Sequence, residues 1–161
     1  MEPFVAIIGG SKSGKSTVIC SLTGCETHGS QGVVTDRESN REIYVIAHSP
    51  QESGLSLEDL RAILNQVSDS NTIFGVVIAI QPTRPRSHLS METIFDLVTL
   101  TGSYESFAIM LDPPYSGHGA RADVEGVRTR LQAKGIELNV LDGRRFAHLN
   151  ACEVGRITGL P

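Results

Sequence analysis

Cysteine is scarce: the 161-residue chain has only Cys20, Cys25 and Cys152. The number is odd and no Cys-x-x-Cys pair exists, which argues against a disulfide framework and a zinc ribbon. Three reduced thiols are therefore expected. Cys25 and His28 have Cys-x-x-His spacing, but no second ligand pair is nearby to complete a zinc site. Long hydrophobic runs are missing too. The longest, around residues 74–80, is far too short to span a bilayer. The N-terminus lacks a basic stretch followed by an apolar one, so neither a signal peptide nor a membrane span is expected, and a cytoplasmic location is. Positive charge does not predominate. The formal net charge is −4, which favours neither nucleic acid nor an anionic membrane as partner. Lysine is rare beside arginine, three against eleven, and two of the three, Lys12 and Lys15, stand three residues apart. Internal repeats, low-complexity segments and linkers are absent. A chain of this length with 40% hydrophobic residues suits one domain over residues 1–161, large enough to bury a full core.

What is present alternates. Continuous apolar runs at residues 4–8, 73–80 and 107–111 read as strands buried on both faces, and residues 136–141 as the last strand. "EIYVIA" at 42–47, rich in β-branched residues, reads as another strand ended by Ser49-Pro50-Gln51, and residues 32–35 as a short one, with a turn at Ser39 and Asn40 between them. Helical patterns lie between the strands. Residues 15–23 end at Gly24. Ser56 with Asp59 forms a capping-box pattern before Leu57, Leu60, Leu64 and Val67. Ser90 and Asp123 begin two more, and residues 147–155 hold the last. Strands joined by helical crossovers predict an α/β fold, a three-layer sandwich around a mostly parallel sheet.

The first strand runs into "GGSKSGKST". Gly9, four residues, Gly14, Lys15 and Ser16 satisfy every fixed position of the Walker A pattern, with a strand before and a helix after. Glycines let the backbone curl so that successive N–H groups face inward as an anion nest. The helix start adds its positive dipole end. Gly9, Gly10, Ser11, Lys12, Ser13 and Gly14 would cradle phosphates. Lys15 would reach the β- and γ-phosphates, Ser16 would bind Mg²⁺, and Thr17 would reach the α-phosphate. Two lysines in so short a loop repel one another unless an anion lies between them.

On these residues the chain resembles a P-loop NTPase, and its element order is similar to the G domain of Ras-like and Toc/immunity-associated GTPases. The resemblance implies a Mg²⁺-dependent GTP- or ATP-binding domain, a slow NTPase or a binding-only pseudo-GTPase acting through a protein partner or as a homodimer. It also implies a switch I role, with Mg²⁺, for Thr35 in "GVVTDRE". The Asp-x-Pro-Gly segment of that family is represented by His48-Ser49-Pro50-Gln51, with His48 for the Asp and Gln51 for the Gly. The guanine-reading motif is replaced by Asp112-Pro113-Pro114-Tyr115. Switch II and base-specificity motifs are thus degenerate. Two further layouts are similar more loosely: ParA/MinD-like ATPases, and small-molecule or nucleotide kinases with Arg84, Arg86 and Arg121 as mobile arginines.

Other residues complete the candidate set. Asp112 ends an apolar strand and would hold Mg²⁺ if that strand lies beside the first; Asp36 is a weaker candidate. The order of strands decides whether Asp112 or His48 faces the metal. His48 can donate to phosphate or accept a proton near neutral pH, and Glu52 stands where such GTPases place a water-orienting side chain, so both are catalytic candidates. "DPPY" also resembles the amine-holding motif of amino-methyltransferases, which need a glycine-rich cofactor loop where this chain has a phosphate-type loop.

Overall fold

The computed structural model describes residues 1–25, 31–36, 39–82, 89–115 and 123–160. The first apolar run forms β1 (Glu2–Ile8), and Lys15–Thr23 forms α1. Gly24 ends that helix in the left-handed conformation at φ 74°, its N–H donating to the Cys20 carbonyl. β2 (Gln31–Thr35) and β3 (Glu42–Ile46) follow, then a single helical turn, α2 (Pro50–Ser53), and α3 (Leu57–Ser68). The Ser56 hydroxyl accepts from Asp59 N–H while the Asp59 carboxylate accepts from Ser56 N–H, so the capping box forms as its sequence predicts. β4 (Ile73–Ile80), α4 (Met91–Thr101), β5 (Tyr104–Leu111), α5 (Val124–Gln132), β6 (Leu138–Leu141) and α6 (Ala147–Thr158) complete the order. Ser90 and Asp123 cap α4 and α5 through the N–H groups of Thr93 and Gly126.

The six strands make one sheet in the order β2-β3-β4-β1-β5-β6. All neighbours are parallel except β2, which runs antiparallel to β3 as a hairpin. β1 is central, between β4 and β5. Its side chains alternate between two cores, as the two-residue strand period requires. Phe4, Ala6 and Ile8 pack with Leu60 and Leu64 of α3, Phe95 of α4 and Leu131 of α5. Val5 and Ile7 pack with Val18 and Ile19 of α1 and Val154 of α6. A sheet covered on both faces by helices is the α/β three-layer arrangement expected from the alternation of strands and helices.

Two readings need correction. Cys20 and Cys25 are joined as a disulfide rather than standing as separate thiols, with Cα atoms 4.6 Å apart. The left-handed turn at Gly24 carries the chain back over the last turn of α1, and that close approach is invisible to a count of cysteines. Cys152 is free and exposed. The segment after β3, read as a simple strand end, is helical at Pro50–Ser53 because Pro50 at the first helical position has the required φ and needs no N–H donor.

Candidate functional site

Parallel strands deliver their C-terminal ends to one edge of the sheet, and β1 delivers the 9–14 loop there. Gly9 N–H donates to the Ile80 carbonyl at 3.1 Å, so the loop departs from the end of β4 as well as β1. Ser13 N–H donates to the Gly10 carbonyl at 3.3 Å, closing a tight turn. Gly14 has φ 96°, where a side chain would be strained, and a Cβ there would lie 3.1 Å from the Tyr115 Cβ. Lys12 is itself left-handed at φ 58°. The loop is therefore curled by backbone geometry that Gly14 alone tolerates without cost at its position.

Lys15 opens α1 yet is only 5% exposed. Its ammonium folds back over the loop, donating to the Gly10 carbonyl at 2.6 Å, with Ser13 Oγ 3.4 Å away. Burial pushes its pKa from 10.5 down to about 8, and the Glu52 carboxylate offsets part of that shift. Ser16 Oγ donates to the Ala47 carbonyl at 2.6 Å, tying the start of α1 to the end of β3. That bond uses the hydroxyl proton and leaves oxygen lone pairs to accept a cation. Lys12, Ser13, Gly14, Lys15, Ser16 and Thr17 line a cleft of about 240 Å³, with Glu52 and Tyr115 as its other lining residues.

The structure sorts the remaining candidates. Glu52, in α2, lines the cavity, and its carboxylate accepts from the buried Gln81 amide at the end of β4. His48 follows the Ala47 that Ser16 binds, but its side chain is exposed and does not line the cavity. Asp112 ends β5, directly beside β1, whereas β4 separates β3 from β1. Its N–H donates to the Leu141 carbonyl at 2.9 Å, and it too stands outside the cavity lining. Thr35 is not brought to the loop. Because β2 is antiparallel, Thr35 pairs with Glu42 at the start of β3, roughly 16 Å of strand from the Ala47 end. Asp36 sits in the same hairpin turn, accepting from Ser39 N–H and donating its own N–H to the Arg41 carbonyl. Arg84, Arg86, Arg121 and His28 lie outside the described residues. Among the described residues, no cluster of three His, Cys, Asp or Glu side chains is arranged to hold a metal ion.

Three positions carry weight that sequence reasoning did not assign. Gln51 donates to the Leu89 carbonyl at 2.9 Å and accepts from Gln81 N–H at 3.3 Å, bracing α2 against the end of β4. The residue that departs from the Asp-x-Pro-Gly pattern is thus a cross-link. Gln81, a polar residue ending an otherwise apolar strand, was the available signal for the second. Tyr115 is the third: its N–H donates to the Ser13 carbonyl at 3.1 Å, joining the loop after β5 to the loop after β1.

No protein-family model and no curated protein matches the chain. Among solved structures, it is similar to a de novo designed protein with the P-loop NTPase fold, with a TM-score of 0.52 and 11% identity over 98% of this chain and 92% of that one. It is also similar to APE1195, with a TM-score of 0.45 and 12% identity over 97% and 94% of the two chains. The first likeness gives the chain a P-loop NTPase-like fold, and a fold by itself carries no activity. Among the described residues, no helix is long and apolar enough to cross a membrane.

Proposed function

We propose that the chain binds the polyphosphate of a nucleoside triphosphate, GTP or ATP, together with Mg²⁺, in the 9–17 loop. The observation that carries this reading is the buried Lys15 ammonium folded onto the loop it would neutralise a ligand in. Desolvating a lysine charge is costly, and Glu52 offsets only part of that cost for Lys15, which an anionic ligand would complete. A polyphosphate would take the place of the Gly10 carbonyl as acceptor. Nest N–H groups and the α1 dipole would hold the same charge, and the Ser16 oxygen would ligate Mg²⁺. Thr35 has no part in this site. Asp112 and His48 are neighbours of it, while Glu52 is the carboxylate among the described residues that line the cavity.

Hydrolysis, where it occurs, is assigned to Glu52 orienting water, with Gln81 holding its carboxylate in place. Calorimetric titration with ATP and GTP, each with Mg²⁺ and again with excess chelator, tests the reading. Saturable binding that weakens at least tenfold without Mg²⁺ is expected; no heat from either nucleotide with folded protein would overturn it. Single-turnover release of phosphate should fall in Glu52→Gln with affinity retained.

A further inference from the structure

As bounded by the described residues, the cleft at the loop accounts for the phosphates of a nucleotide rather than for the whole of it. Its volume of about 240 Å³ is below the roughly 300–1,000 Å³ of pockets that enclose small molecules. It suits a polyphosphate, so the nucleoside must extend past the mouth. One wall of that mouth is Tyr115, whose side chain lines the cavity yet is 62% exposed. Its exposure contrasts with the other two tyrosines: Tyr44 is buried, and Tyr104 is buried with its hydroxyl donating to the Leu64 carbonyl.

We infer that the Tyr115 ring is a stacking platform for the base of the bound nucleotide. The inference rests on the polyphosphate reading above and adds the part of the ligand that this reading leaves unplaced. The backbone that carries the ring is held from several sides. Tyr115 N–H donates to the Ser13 carbonyl, and the side chain packs over Gly14, whose missing Cβ leaves room for it. Upstream, Asp112 N–H donates to the Leu141 carbonyl and Gly143 N–H donates to the Pro113 carbonyl. Pro113 and Pro114 restrict φ at the two residues between. A ring held by its backbone on the phosphate loop while its face meets solvent loses little entropy on receiving a flat ligand. Aromatic stacking accepts any base and is strongest with the large purines. The absence of a guanine-reading motif after β5 fits a site that holds the base by its face rather than its edge.

Binding of Mg²⁺ complexes of tripolyphosphate, ATP and GTP to wild type, Tyr115→Phe and Tyr115→Ala separates the base contact from the phosphate contact. Wild type should bind ATP and GTP at least about tenfold tighter than tripolyphosphate, given the usual strength of base–aromatic stacking. Tyr115→Ala should abolish that difference without weakening tripolyphosphate, and Tyr115→Phe should preserve it. In the NMR spectrum of the wild type, nucleotide but not tripolyphosphate should shift one tyrosine ring signal upfield, that of Tyr115. Equal loss of nucleotide and tripolyphosphate in Tyr115→Ala would make the ring a prop for Gly14 and overturn the inference. An unchanged ATP affinity in Tyr115→Ala would overturn it as well. Failure of tripolyphosphate and nucleotide alike to bind folded wild type would remove the polyphosphate reading itself, and the platform with it.

Discussion

The two edges of the sheet treat their loops differently. At the C-terminal ends of β1, β3, β4 and β5, loops are tied to one another across the strand order. Ser16 reaches Ala47, Tyr115 reaches Ser13, Gln51 reaches Leu89 and Gln81, and Gln81 reaches Glu52. At the opposite edge, the hairpin turn between β2 and β3 is held by local bonds among Asp36, Ser39, Asn40 and Arg41, and its long-range ties are fewer: Glu42 accepts from the Thr72 hydroxyl and Arg41 lies over the Phe74 ring. Local bonds build a turn, whereas bonds between distant loops build a fixed cluster of groups facing one volume. The contrast supports the proposed site at the first edge, through polar contacts rather than through motif names.

Substitutions at the first edge should sharpen the contrast in graded steps. The largest effect is expected from Gly14→Val, which puts a β-branched side chain at φ 96° and against Tyr115. It should cost about 2 kcal/mol or more in denaturant unfolding, since left-handed backbone and close packing both oppose it. A cost near zero would mean that the loop has another conformation available.

The next effect is on pH. Free Lys15 titrates near 8 in the folded chain against 10.5 unfolded. Between those values the unfolded chain binds more protons, so the Lys15 contribution to stability rises with pH as the buried charge is relieved. Anion binding has the opposite sign, because a polyphosphate selects the charged ammonium. Affinity should fall as pH rises above 8, approaching tenfold per unit, with proton uptake visible by calorimetry in buffers of different ionisation enthalpy near pH 8.5. Lys15→Met should abolish the proton uptake. A smaller change is expected from Gln51→Ala, about 1–2 kcal/mol of stability for its two hydrogen bonds, measured by urea unfolding.

Much of the fold was legible in the sequence because its rules are local. The 9–16 spacing, the Gly24 stop and the caps at Ser56, Ser90 and Asp123 each depend on a few neighbouring residues. The strand at Ile73–Ile80 was read to its ends from its apolar run. What was not legible depends on chain direction and on contacts across the sheet. Thr35 lies at a plausible distance along the chain from Ser16, but an antiparallel β2 turns that spacing away from the loop. His48 and Asp112 could be ranked only by strand order, which no local pattern states. The Cys20–Cys25 bond hides in a turn of five residues, and Gln51, Gln81 and Tyr115 show their partners only once the loops are assembled.

The comparison of the two edges is most directly tested by titrating Lys15→Ala and Thr35→Ala side by side with Mg²⁺–ATP and Mg²⁺–GTP, against wild type, with folding verified for each. The account predicts loss of at least a hundredfold in affinity for Lys15→Ala and no more than a twofold change for Thr35→Ala. Wild-type affinity in Lys15→Ala, or a loss in Thr35→Ala as large as in Lys15→Ala, would contradict it.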